Sequence, residues 1–371
     1  MNGYSKMRTK GAFLDHSLIT SHRLNNQQIT NTKLKNLDEI SNWLCAIQAQ
    51  DYFGAKWSFG LRLPGTSDDD VEMAINNRII VRSWPMRSTL HFVNSKDIRW
   101  IIKLLAARRI KARTPSDRAL GLDEKIFSSC NAILEKELSG GKHLTREEIT
   151  HILKSSGFNT DANRVYHILQ YAALNLLVCF GKRRGKQFTF TLLDEWIPKS
   201  TILDRDEALA ELAKRYFFSR GPAEIKDFTW WSGLTASEAK TAIEMIRNQL
   251  DEIKVDGHTY WLSRQSNDDV VKRTYLLPGF DEYMMSYKDR TAVIDKEFSK
   301  VLNSGNGMLS PTIVIDGKIA GTWKRKILKD TVKIDIKLFS KLSKAEYHEL
   351  NLAADFYRKF YGLKTYLLSE S

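Results

Sequence analysis

The chain has 371 residues, 42% hydrophobic and 27% charged, an ordinary globular composition long enough for two or three folding units. Its net charge of +13 makes a polyanion the expected partner. No apolar run of about 18 residues could cross a bilayer and the start, MNGYSKMRTKGAFLDHSLITSHRL, lacks a signal-peptide core, so the expectation is a cytoplasmic protein without a membrane partner.

In chain order, LDEISNWLCAIQ and SDDDVEMAINNR have helical periodicity, and AKWSFGLRL between them is ambiguous. IIVRSWPMRSTLHFV alternates like two strands with Pro85 at the bend, and a long basic helix follows from Ser95 to about Arg113. Asp123 to Leu138 is helical, LTREEITHILKSSG opens with a capping box from Thr145 to Glu148, and NRVYHILQYAALNLL is a third helix. LVCFGKRRGKQFTFTLLDEW then reads as strand, basic turn, strand.

The same order returns in DRDEALAELAKRYFFSRG, PAEIKDFTWWSG, TASEAKTAIEMIRNQL and a two-strand segment that turns at Asp256 and Gly257. Helix, helix, helix and a two-strand wing is the winged-helix order, and the amino-terminal third fits it more loosely. After Arg273 the texture changes to TYLLPGFDEYMMSY, PTIVIDGKIAGTWKRKI and TVKIDIKLF, read as strands with a tight turn at Asp316 and Gly317. A final helix ends at Gly362. The expected fold is α+β: winged-helix units over 1–118, 119–200 and 201–270, then a small β-barrel with a closing helix over 271–371.

Cys45, Cys130 and Cys179 are far apart among apolar neighbours and read as small core residues. The eight histidines form no HExxH or Cys/His cluster, so neither a metal nor another cofactor is expected. Basic residues do cluster: Arg108, Arg109, Lys111 and Arg113; Lys182, Arg183, Arg184 and Lys186; Lys324, Arg325 and Lys326. Three such groups on winged helices point to double-stranded DNA. Three units in one chain need no second subunit to clamp a duplex, which implies a monomer. Repeat count alone does not separate a repair enzyme from a non-catalytic DNA-binding protein such as a transcription regulator, and charge alone leaves an RNA-processing hydrolase open.

Four motifs narrow the choice. LCAIQAQDYFGAKWSFGLRL, RSWPMRSTLHFV, TYLLPGFDEYMMSYKDR and PTIVIDGKIAGTWK, in this order and at these separations, resemble the winged-helix DNA-binding family that contains the AlkZ-type and YcaQ-type DNA glycosylases. The resemblance spans about residues 12 to 368. It implies three tandem winged helices with a β-barrel, and excision of alkylated purines, including those in interstrand crosslinks. It also implies that Gln48 and Gln50, which match the AlkZ-type glutamine pair around Ala49, are the catalytic residues.

That amide pair has a physical reading. Residues two apart on a helix point about 200° away from each other, whereas on an extended segment they share a face. The helix is therefore expected to end near Ile47. A glutamine does not titrate near neutrality, but its carbonyl accepts a hydrogen bond from water and its amide donates one. Two of them can hold a water in line with a sugar carbon when the leaving group is already good, as a purine alkylated at N7 is. No lysine stands out as a Schiff-base nucleophile, so the reaction expected is monofunctional hydrolysis.

Arg87 and His91 alternate onto one strand face with Thr89, with Arg87 expected on phosphate and His91 in the site or on nearby backbone. Asp281 and Glu282 are adjacent and expected to be structural, paired with Arg290. Trp323 is a candidate for stacking on a nucleotide, and Trp230 and Trp231 read as packing residues.

Overall fold

In the computed structural model, residues 16–200, 202–265, 273–302 and 309–370 are described. Helix α1 (His16–Asn26) precedes α2 (Leu37–Leu44), which is followed by β1 (Ala46–Gln48), α3 (Tyr52–Arg62), α4 (Asp68–Asn76), β2 (Ile80–Met86) and β3 (Thr89–Asn94). The three strands form one sheet in the order β1-β3-β2. Helix α5 (Ile98–Ala119) leads to a second set: α6 (Glu124–Leu138), β4 (Leu144–Thr145), α7 (Arg146–Ser155), α8 (Arg164–Leu174), β5 (Val178–Phe180) and β6 (Thr189–Leu192), with sheet order β4-β6-β5. After the short α9 (Leu193–Trp196) come α10 (Arg205–Arg220), α11 (Ile225–Ser232), α12 (Ala236–Met245), β7 (Leu250–Val255) and β8 (His258–Ser263). Here the first strand is reduced to a bridge between Ala223 and Trp261. Helix, strand, helix, helix and hairpin thus occur three times.

Local chemistry starts these helices. Ser67 with Asp70, Thr145 with Glu148, Asp204 with Glu207 and Thr235 with Glu238 form reciprocal capping boxes, each satisfying backbone donors that the first turn leaves unpaired. The ambiguous AKWSFGLRL lies in α3. Its Gly60 is required by a close approach, because a Cβ there would stand 2.3 Å from the Phe360 ring. The β2–β3 reversal falls at Arg87 and Ser88, with φ of 53° and 58°, and not at Pro85, which lies inside β2 where the register slips between Ser83 and Met86. A two-residue reversal of this kind needs two left-handed residues, which proline cannot supply.

The carboxy-terminal part holds β9 (Thr274–Leu277), α13 (Glu282–Met285), β10 (Thr312–Ile315), β11 (Lys318–Ile327), β12 (Thr331–Leu338), α14 (Lys344–Phe360) and β13 (Thr365–Glu370). Its five strands form an open sheet in the order β13-β12-β11-β10-β9, antiparallel except for β12 with β13, and not the closed barrel expected. Helix α14 contacts both edge strands, β9 and β13. Its Tyr357 meets Trp57 and Trp323 edge-on at 4.9 and 5.0 Å, so a helix lies across the sheet where closure would leave side-chain space. FDEYMMS, read as strand, instead turns at Asp281 into α13.

Three large cores follow. One joins α2, α3 and α4 to the carboxy-terminal sheet and α14; a second joins the other face of the first sheet to α5 and the third repeat; a third fills the second repeat and takes in Trp84 and Leu90 of the first sheet. The three cysteines are buried in these cores as free thiols. Among the described residues no helix is long and apolar enough to cross a membrane.

Asp281 fixes the first of these junctions. Both its oxygens accept from Arg62, at 2.8 and 2.7 Å, and Ser58 Oγ and Tyr283 N donate at 2.7 and 2.9 Å, with both charged side chains fully buried. Asp281→Ala leaves the Arg62 guanidinium buried without its counter-charge, which costs about 3–5 kcal/mol. Denaturant unfolding monitored by tryptophan fluorescence should show that loss; a change below about 1 kcal/mol would mean that the pair does not hold the junction.

Candidate active site

The glutamine segment leaves its helix earlier than the sequence reading has it. Helix α2 stops at Leu44, three residues short of the expected Ile47, because Cys45 adopts φ 63° and turns the chain into β1. The backbone then runs extended and is held on three sides. Gln48 N donates to Glu282 Oε1 at 2.9 Å, Ala49 N donates to Leu90 O at 2.7 Å, and Ala49 O accepts from Arg82 Nε and Nη2 at 3.2 and 2.8 Å. Gln48 is buried at 4% exposure, and Gln50 stands exposed in the turn before α3. The Gln48 side chain thus lies inside the protein while the Gln50 side chain meets solvent.

Glu282 draws together groups far apart in sequence. Its Oε2 accepts from Arg220 Nη2 at 2.9 Å, Trp231 Nε1 at 3.0 Å and Ser286 Oγ at 2.7 Å, and the residue is fully buried. Burial alone would raise its pKa, but Arg220, with His91, Ser286 and Arg87, lowers it to about 2. Neither Asp281 nor Glu282 pairs with Arg290, which donates to Met284 O at 2.9 Å. The structural role expected of the two carboxylates stands with different partners: Arg62 for one, Arg220 for the other.

Gln48 pairs with His91 across β1 and β3, and His91 with Ser83 across β3 and β2. His91 is fully buried, and desolvation, aided by the nearby Arg87 charge, lowers its pKa to about 3. Arg87 turns inward, half-buried, with Nη2 3.4 Å from Gln48 Oε1; desolvation lowers its pKa too. On the opposite sheet face, Arg82 has no carboxylate partner among the described residues and lies 4.5–5.3 Å from the ring centres of Phe188, Phe180 and Tyr52. Arg82, Arg220 and Trp231 were not among the expected site residues. Their partners lie tens to hundreds of positions away, and no local pattern marks them.

The basic groups divide. Arg113 is buried and bonded to Asp117 and His167 O at 3.0 Å, so it is a structural residue and not a phosphate ligand. Arg108 reaches Gly233 O and Glu238, and Arg109 reaches Ser88 Oγ at 3.3 Å, tying α5 to the third repeat and the first hairpin. Arg183 is half-buried between Glu72, at 3.5 Å, and the Tyr52 ring, while Arg184 pairs with Glu148 at 2.7 Å. Lys182 and Lys186 are exposed, as are Lys324 and Lys326; none has an ion pair among the described residues. Arg325 lies 3.8 Å from Asp51, which places the carboxy-terminal sheet beside the glutamine segment. Trp323 is 1% exposed, with Nε1 donating to Leu277 O at 2.9 Å, so it is a core residue that cannot stack on a nucleotide. Trp231 packs as expected and also bonds Glu282, whereas Trp230 is exposed.

These groups set an acid limit. His91 is neutral in the fold, so its contribution to stability is complete above its unfolded pKa near 6.5 and is lost as pH falls toward about 3; Glu282 adds a further loss between about 4.5 and 2. Unfolding free energy should fall from pH 6.5 to 4.5 by up to about 1.4 kcal/mol per unit for each histidine so buried. In His91→Gln that slope should shrink, leaving the share of His143, whose pKa desolvation also lowers. An unchanged slope in His91→Gln would show that His91 is not held neutral by the fold.

The family model described as DNA glycosylase AlkZ-like matches residues 42–360. An interstrand DNA cross-link repair glycosylase from Streptomyces sahachiroi is 25% identical over 309 residues, covering 77% of this chain and 81% of that protein. The solved structure of the Streptomyces sahachiroi DNA glycosylase AlkZ superposes with a TM-score of 0.79 at 20% identity, covering 97% of this chain and all of that one, and shares its mixed helix and strand fold. The chain therefore belongs to the AlkZ-like family of DNA glycosylases.

Proposed function

We propose that this DNA glycosylase hydrolyses the N-glycosidic bond of N7-alkylated purines in double-stranded DNA. It acts as a monofunctional enzyme and a monomer, with a water held by Gln48 and Gln50. The three repeats are winged-helix units, supported by the recurrence of helix, strand, helix, helix and hairpin with the same strand order in the first two sheets. The observation that carries the reading is the end of β1, where the Gln48 and Ala49 backbone is anchored and leads straight into the bend that holds Gln50. It sets one amide inside the protein and the next at the solvent boundary, where a substrate sugar can arrive.

The chemistry suits neutral amides. A cationic purine leaves as a neutral base, so little acid assistance is needed, and carbonyl dipoles favour an oxocarbenium-like sugar. Gln48 and Gln50 orient the water and need not gain or lose a proton. The relative is named for interstrand cross-link repair, which supports including crosslinked purines in the proposed substrate class.

Release of N7-methylguanine from duplex DNA tests this. Gln48→Ala and Gln50→Ala should each slow single-turnover release by about 100-fold while binding DNA as the wild type does. An intact abasic strand as product, with no borohydride-trapped adduct, is expected of a monofunctional enzyme. No release from this adduct or an N7 crosslink, with tight sequence-selective binding instead, would leave a DNA-binding protein such as a regulator.

Phosphate contact should come from the exposed lysines that lack a carboxylate partner among the described residues. Lys182→Ala, Lys186→Ala, Lys324→Ala and Lys326→Ala should weaken duplex binding similarly across sequences, each reducing the slope of log K against log salt by about 1. A salt slope that stays at the wild-type value in all four variants would place the duplex elsewhere.

A further inference from the structure

Gln48, His91 and Ser83 form one row across the first sheet, on the face shared with Ala46, Val81 and Val93 that packs against α5 and the third repeat. His91 Nδ1 lies 2.9 Å from Thr89 O. A carbonyl only accepts, so Nδ1 carries the proton and the neutral ring presents a lone pair at Nε2. That Nε2 is buried without a hydrogen-bond partner. Across the strand pair, the Gln48 amide oxygen takes Arg87 at 3.4 Å, and its amide nitrogen has no acceptor among the described residues.

A primary amide has nearly the same shape either way round. Its orientation is fixed only when its oxygen meets a donor and its nitrogen an acceptor. We propose that His91 is the positioning residue for Gln48: with substrate bound, its Nε2 accepts a hydrogen bond from the Gln48 amide nitrogen, while Arg87 stays on the oxygen. Gln48 Oε1 then has its second lone pair free for the attacking water. An imidazolium would put a donor where an acceptor is needed and turn the amide round. Ser83 Oγ and Arg87 Nε, also buried without partners, are the competing donors. This inference rests on Gln48 being the water-holding residue.

Single-turnover release of N7-methylguanine should be compared for wild type, His91→Phe, His91→Gln, Gln48→Ala and the Gln48→Ala/His91→Phe double variant, with DNA affinity measured for each. His91→Phe should be at least 10-fold slower at a DNA Kd within twofold of wild type, and His91→Gln, which restores an acceptor, should recover most of the rate. The double variant should be no slower than Gln48→Ala alone, because the histidine acts only through the glutamine. A wild-type rate in His91→Phe, or losses that multiply in full, would overturn the proposal. So would Ser83→Ala reproducing the His91→Phe loss, since the donor would then be Ser83. Nitrogen NMR of histidine-labelled wild-type protein at pH 7 should show the neutral Nδ1–H tautomer; the other tautomer refutes the assignment whether or not any variant folds. A wild-type protein that releases no base sinks the glycosylase reading and this proposal together, whereas an active enzyme indifferent to His91→Phe sinks this proposal alone.

Discussion

The carboxylate of Glu282 joins parts of the chain that nothing local would bring together. It takes the Gln48 backbone N–H from the first repeat, the Arg220 guanidinium and Trp231 indole from the third, and Ser286 Oγ, just past its own short helix. A charge so deeply buried is stable only when its donors are nearly all in place, so the position of β1 is tied to the packing of α10 and α11. The neighbouring Asp281 faces the other way and does the same for α3 through Arg62. Two consecutive carboxylates therefore clasp two different cores, with the glutamine segment between them. An apolar replacement could match such pairs in stability, so their distinctive contribution is a fixed location for the Gln48 backbone.

The excess of positive charge is less available than its count implies. Arg113 is spent inside the fold, Arg108, Arg183 and Arg184 pair with carboxylates, and Arg109 bonds Ser88. Of the three basic clusters, the cations left in solvent without an ion pair among the described residues are lysines: Lys111 on α5, Lys182 and Lys186 between β5 and β6, and Lys324 and Lys326 along β11. This division follows from side-chain chemistry. Arginine offers a planar set of donors that matches carboxylates and carbonyls inside a protein, whereas lysine is a compact, strongly hydrated charge suited to a mobile phosphate contact.

What was legible in the sequence had local causes. The box Thr145–Glu148, the turns at Asp256–Gly257 and Asp316–Gly317, and the helix ending near Gly362 each depend on neighbours a few residues away. What was missed depended on distant packing. Helix α2 ends early because Cys45 turns left-handed within a buried junction; the strand at Thr365–Glu370 exists because β12 offers it a parallel edge; Trp323 is occupied by Leu277 O and Tyr357. Gln48 and Gln50 were marked as a pair by family resemblance, but their division into one buried and one exposed amide comes from Glu282, some 234 residues away.

The buried surroundings of Gln48 carry more positive than negative charge: Arg87 and Arg220 against Glu282, with His91 neutral. That balance is unfavourable for a cationic purine approaching alone. A duplex, however, brings its own anions, and the phosphates flanking the lesion would offset the arginines at the moment the charged base arrives. In the proposed reaction the groups nearest the water, two amides and a neutral imidazole, keep one protonation state through the neutral range. Rate is then governed by how readily the alkylated base departs and how well the water is aimed, and an undamaged neutral purine, which needs a proton to leave, is offered none by these three groups.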